Sequence, residues 1–215
     1  MTEAADAKAR IWAIAQEEFA DKGYAGARVD EIARRADVNK ALIYYYFKSK
    51  DNLLRSIIGE FFSELLELKK TLMEGGCIQD ECYRRQVFDR IYGFLSRRKP
   101  VIRIILREMA KGEDEAEEII LLLKPLTNLF AQHLSEMGFA VAPDEAKIII
   151  QSTFFGMVPL LMFVIIEEKL AHYLGEDASR MMDSFHREFA CVFDNFRDRL
   201  PGHGDRPLTA RAAVG

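Results

Sequence analysis

Lys40, Ala41, Tyr44 and Tyr45 lie on one side of a short helical run, and their types suit a polyanion with readable edges. A lysine ammonium can bond phosphate oxygens or the guanine acceptors of a major groove. Ala41, with Leu42 beside it, can touch a thymine methyl group. The tyrosine hydroxyls are suited to phosphate. Ile43 and Phe47, at i, i+4, take the opposite side and with Val38 read as core. Lys50 follows at the start of another run, where helix amides and dipole also favour an anion. Arg28 and Arg34 either reach flanking backbone or stand in solvent. For Tyr46 an inward, packed position and an outward one are both open.

Two helices must hold these groups. Val29, Ile32, Ala33 and Ala36 recur at i, i+3, i+4, i+7, one face of a helix. Asp37-Val38 interrupts that run. Asn39 can cap the next helix, its side-chain oxygen accepting an orphan backbone N–H. The result is helix, tight turn, short helix: one element to brace and one to enter a groove. Charge agrees with this reading. Residues 34–50 carry Arg34, Arg35, Lys40, Lys48 and Lys50 against Asp37 alone, a local +4 on a chain of net charge −4. Such a patch marks where a polyanion lands.

The segment resembles the DNA-binding domain of the tetracycline-repressor (TetR) family. The resemblance is carried by Ile11 through Phe19, Lys22-Gly23-Tyr24, Val29, Ile32-Ala33, Ala36 and Val38. It continues through Lys40, Ile43-Tyr44, Tyr46-Phe47-Lys48, Lys50 and Leu53-Leu54, so that it covers roughly the first quarter of the chain. Three positions depart from the family pattern. Ala27 stands where a threonine usually precedes the second helix, Asp37 where the turn usually has glycine, and Ala41-Leu42 where the third helix usually has Gly-Thr. The resemblance implies DNA contacts at Asn39, Lys40, Ala41, Tyr44, Tyr45, Tyr46 and Lys50. It also implies an all-α fold of about nine helices, with a three-helix DNA-binding domain followed by a helical ligand-binding and dimerisation domain.

The rest of the chain fits that class. At 215 residues it can bury an adequate core, and 49% hydrophobic with 30% charged residues is the composition of a soluble globular protein. The first helix is expected over residues 6–22. Ile11, Ile14, Ala15 and Phe19 form its inner stripe beside Trp12, and Lys22-Gly23 closes it. Ser49 is placed to cap a fourth helix to about residue 73, too widely apolar to be a lone surface helix. Gly75-Gly76 breaks the chain. Further helices are expected near 80–97, from Pro100 to about 110, over 113–137 with a break or kink at Pro125, and over 177–199. Gly138 ends one run, and Pro143 suits a first-turn position.

Residues 148–166 hold no charge in 19 positions, about 28 Å as a helix against a bilayer core of about 30 Å. Gln151-Ser152-Thr153 and the lack of aromatic belts favour the centre of a helical bundle over a membrane span. Pro159 is expected to bend this helix and free a carbonyl.

Domain bounds are expected at 1–50, 51–200 and a tail at 201–215 with little to bury. Cys77, Cys82 and Cys191 read as free thiols in a reducing cytoplasm. The polar amino terminus has no signal-peptide core. His133, His172, His186 and His203 lack metal-ligand spacing, and no catalytic or phosphate-loop motif occurs, so neither a cofactor nor enzyme activity is expected.

Family resemblance implies a small effector bound among the C-terminal helices. Candidate contacts are Phe88, Tyr92, Met109, Phe130, Phe154, Phe155, Met157 and Met162, with Gln151 and Thr153 as polar partners; all of them also fit ordinary core. Their content points to a largely hydrophobic ligand. The stripe Met182, Phe185, Phe189, Val192, Phe193 and Phe196 must be covered by something. In the family the last two long helices form a dimer interface, so the resemblance implies a homodimer. The expected protein is a dimeric, sequence-specific regulator of a near-palindromic operator, a repressor released by its ligand. The competing readings are an all-helical ligand-binding protein or enzyme without operator function, and a regulator anchored in a membrane by residues 148–166.

Overall fold

The structure, a computed structural model, describes residues 3–74, 80–136 and 149–198. Among these there are nine α-helices and no strand. They are α1 (Glu3–Gly26), α2 (Val29–Arg35), α3 (Lys40–Phe47), α4 (Lys50–Glu74), α5 (Glu81–Ser96) and α6 (Lys99–Met109). There follow α7 (Glu113–Glu136), a π-helical segment Ile150–Met157 that runs directly into α8 (Val158–Leu174), and α9 (Ala178–Asp198). The expected helices are all present, with ends displaced by a few residues. The expectations for Gly75-Gly76, Gly138, Pro143, Cys77, His203 and the 201–215 tail lie outside the described residues.

The chain forms two compact units, Met1–Leu123 and Lys124–Gly215. In the first, α4 is the central strut. It buries Leu53, Leu54, Ile57, Ile58, Phe61, Phe62, Leu65 and Leu72. It packs on α1, α3, α5 and α6, which accounts for the width of its apolar stripe. Phe61 and Phe94 pack at 5.6 Å between ring centres. The Arg98 guanidinium bonds Glu64 at 2.7 Å and lies 3.9 Å from the Phe94 ring, tying α4 to the α5–α6 corner. Helix α6 buries Val101, Ile102, Ile104 and Ile105 and packs along α1.

Gly23 explains why α1 ends twice. Its φ of 69° and ψ of 174° belong to a region that only glycine enters readily. Helical winding therefore stops there and resumes for one turn to Gly26. The position is crowded as well, since a Cβ on Gly23 would lie 3.1 Å from the Arg107 side chain.

In the second unit the π-helical segment, α8 and α9 pack on one another. Phe163 of α8 stacks face to face on Phe185 of α9 at 4.0 Å. Gly175, left-handed at φ 66°, ends α8. Asp177 then starts α9, accepting bonds from the Ser179 backbone N–H and hydroxyl. Those bonds hold the Asp177 carboxyl below its usual range.

Of the break or kink expected at Pro125, the break does not occur: the proline lies within the single span of α7. The missing N–H would have bonded the Leu121 carbonyl, and both residues are exposed, so water can satisfy that oxygen. Pro159 does not sit inside an α-helix. It occupies the first turn of α8, just where the wider π winding ends. The π turns make room for the proline ring against the carbonyl four residues back. The stretch Ile150–Leu174 is one helix long and apolar enough by length and composition to cross a membrane. One side of it is buried, including Thr153, Leu160, Leu161, Phe163, Val164 and Glu167.

Candidate nucleic-acid interface

Helix α3 forms because both of its ends are satisfied locally. The Asn39 Oδ1 accepts the Ala41 backbone N–H at 2.8 Å, as expected of a cap. Asp37 supplies the turn before it with φ 53°, the left-handed conformation that aspartate tolerates better than most residues. The usual glycine is therefore dispensable here. At the other end the Ser49 backbone N–H bonds the Phe47 carbonyl at 2.8 Å, around Lys48 at φ 68°, ψ −45°. This is the strained, positive-φ form of the γ-turn. It reverses the chain in one residue, and the Ser49 hydroxyl then accepts the Asn52 N–H at 3.0 Å to open α4. Helix α2 has no side-chain cap. Its N-cap residue is Arg28, with Ala27 buried before it.

Ile43 and Phe47 are buried on the inner face of α3. Trp12, half-buried, packs on Phe47 at 5.9 Å at the edge of the small domain's core. Lys40, Ala41, Tyr44 and Tyr45 are exposed, Tyr45 at 69% more than Tyr44 at 41%. Tyr46 is half-buried and packs edge-on against Tyr45 at 5.3 Å and Phe47 at 6.3 Å. It thus sits at the rim, between the two positions left open.

The charge pattern is corrected in detail. Arg35 does not face outward as a free cation. It reaches back to α1, to Glu17 and to the buried Glu18 at 3.4 Å. Glu18 also holds Lys22 at 2.6 Å. Arg34 is bound by Glu31 at 2.6 Å, and Lys40 by Asp30 at 2.7 Å. The Asp30 contact raises the Lys40 pKa, and the Arg34 bond lowers that of Glu31. Arg28, Lys48 and Lys50 remain without a carboxylate partner among the described residues.

Sequence reasoning also missed Arg10. Its Nε donates to the Ala36 carbonyl at 3.0 Å while the guanidinium meets Asp6. Arg10 thereby caps the end of α2 and pins the turn to α1. Nothing in local spacing flags a contact across that distance in the chain.

Lys50 sits over the Tyr24 ring at 4.4 Å, and Lys111 approaches the same ring at 5.5 Å. Burial and the Lys111 ammonium hold Lys50 below the usual lysine range. Lys111 is itself held by both oxygens of buried Glu108, at 2.5 and 2.6 Å. An anion arriving at Lys50 would relieve this repulsion.

The expected effector contacts divide between the units. Phe88 is buried and stacks on Tyr92 at 6.1 Å, and Met109 is half-buried at the end of α6. In the second unit Met157 is buried and Phe130 and Gln151 are half-buried, while Phe154, Phe155 and Met162 are exposed. Of the expected dimer stripe, Phe185 already stacks on Phe163 and on Phe189, and Val192 is exposed. Phe193 and Phe196 lie in α9 with side chains outside the described residues.

Residues 11–57 match the family model of the bacterial regulatory proteins, tetR family. Among similar proteins, the probable HTH-type transcriptional regulator YttP of Bacillus subtilis is 30% identical over 105 residues, 47% of this chain and 50% of that protein. The HTH-type transcriptional repressor SCO4008 of Streptomyces coelicolor is 48% identical over 62 residues, 29% of this chain and 28% of that protein. The chain thus spans at most half the length of either relative. The crystal structure of the transcriptional regulator FadR from Bacillus subtilis, in complex with stearoyl-CoA, shares the fold. Its TM-score is 0.65 at 20% identity, over 85% of this chain and 97% of that one. Over residues 11–57, its amino-terminal helices, the chain is thus similar to the bacterial regulatory proteins of the tetR family.

Proposed function

We propose that the protein is a homodimeric, sequence-specific DNA-binding regulator, a cytoplasmic repressor whose operator affinity falls when it binds a small, largely hydrophobic molecule. The observation that carries this reading is the division of α3. Ile43 and Phe47 anchor it inward, while Lys40, Ala41, Tyr44 and Tyr45 are exposed on its other side. Asn39 keeps its amide N–H groups for a phosphate after its oxygen has capped the helix. Arg28, Lys48 and Lys50, which have no carboxylate partner among the described residues, supply cations around that helix.

One recognition helix reads few bases. Two copies about 34 Å apart, on successive major-groove faces of a near-palindrome, supply the rest. A ligand that binds better to a dimer of the wrong spacing lowers DNA affinity by that difference in affinity. The Phe- and Met-rich candidates favour an apolar effector, and the stearoyl-CoA bound by FadR is of that character at its acyl end. The reading includes no catalytic role. It is tested by titrating the protein into a pool of random duplexes at several salt concentrations. Enrichment of a palindromic sequence with a steep salt dependence is expected. No attraction for any duplex at low salt refutes it.

A further inference from the structure

We propose that Asp30 is a specificity-determining residue of the interface: by holding the Lys40 ammonium across the α2–α3 turn, it suppresses binding to phosphate alone and favours base edges that offer a donor beside an acceptor. This inference rests on the DNA-binding reading.

The geometry places a carboxylate where a DNA-binding surface usually avoids one. Lys40 is the first residue of α3, and the opening residues of a recognition helix meet base edges. Asp30 lies in the first turn of α2, and its Oδ1 is 2.7 Å from the Lys40 Nζ. Both side chains are exposed, so the pair is part of the surface that docks. Whatever Lys40 approaches, Asp30 approaches with it.

An ionised carboxylate only accepts hydrogen bonds. Phosphate oxygens, guanine O6 and N7, and thymine O4 are acceptors too, so they repel it. In the major groove the donors are the amino groups of cytosine and adenine. A bound Lys40–Asp30 pair presents donor next to acceptor. It therefore matches a pair edge with acceptor next to donor, such as guanine O6 beside cytosine N4. On a duplex without that arrangement the carboxylate is left against acceptors, and the ammonium must abandon Asp30 to reach a phosphate. The adjacent Glu31 differs, since Arg34 closes on both of its oxygens at 2.9 and 2.6 Å.

The test is Asp30→Asn, which keeps shape and removes charge, measured with the full-length protein. Anisotropy titrations on the duplex enriched by wild type and on a scrambled duplex are run at several salt concentrations. Scrambled-duplex binding should tighten about three- to tenfold, with the salt slope steeper by about one unit as Lys40 is freed for phosphate. The enriched duplex should gain less, so the ratio of affinities falls. In a Lys40→Met background the same change should leave the slope alone. Equal shifts on both duplexes, or an unchanged ratio, overturn the inference while leaving the DNA-binding reading intact. Wild type that binds no duplex overturns both.

Discussion

Lys50 is the cation whose removal is easiest to interpret. It has no carboxylate partner among the described residues, and it is poised by Tyr24 and Lys111 rather than bonded. Lys50→Ala should weaken every duplex alike and reduce the salt slope by about one unit, read from titrations over a salt series. A changed ranking of duplexes would instead make it a base reader. Lys69 tests burial at the other end of α4. It is half-buried, and desolvation pushes its pKa from 10.5 down to about 8. The charged form is therefore penalised in the fold. Below pH 8 both folded and unfolded chains are protonated and the full penalty applies. Between pH 8 and 10.5 the unfolded chain holds more protons, so stability rises with pH. Lys69→Met should remove that rise and stabilise the protein at pH 7 by about 2–3 kcal/mol, visible in urea melts at pH 7 and pH 10. Equal melts for variant and parent at pH 7 would mean that the ammonium stays hydrated.

At the scale of the element, helix ends depend on single residues. Gly23→Ala forces a side chain into a glycine-only conformation and against Arg107, and should cost about 1–3 kcal/mol in thermal or chemical melts. Asn39→Ala should cost about 1 kcal/mol through the lost cap of α3. These positions were legible in the sequence because caps and apolar periods are local. Asn39 and Ser49 both cap as expected, and Ile43 with Phe47 falls on the buried side. What could not be read were partners set by tertiary packing. Arg35 turns to Glu17 and Glu18 on α1, Lys40 turns to Asp30 on α2, and Arg10 reaches the Ala36 carbonyl. A window of local charge counts these cations as free, because their partners enter the neighbourhood only when helices pack. The same holds for the strained Lys48 turn, whose residue type carries no signal of positive φ. It also holds for Pro159, whose fit depends on π winding that periodicity of 3.6 does not anticipate.

For the molecule as a whole, the question is what covers the apolar surface of the carboxy-terminal unit. Phe154, Phe155, Met162, Ile166, Tyr173, Leu174 and Val192 are all exposed on the π-helical segment, α8 and α9. Isolated surface apolar residues are ordinary, but this many on two packed helices is more than soluble monomers usually leave to water. A second copy would cover them, and a two-fold pair is also what a near-palindromic site requires. The intrachain stack of Phe185 on Phe163 shows that α8 and α9 already form one surface rather than two. Phe189→Asp together with Phe193→Asp places two charges on α9 and should give monomers by sedimentation. Operator affinity should then fall steeply, while weak binding to random duplex, which needs only one recognition helix, persists. A far-ultraviolet dichroism spectrum like that of the parent is the companion measurement, separating lost association from lost fold. Folded variants that still sediment as dimers would move the interface away from this face of α9, and the exposed side chains of α8 would then need a different partner.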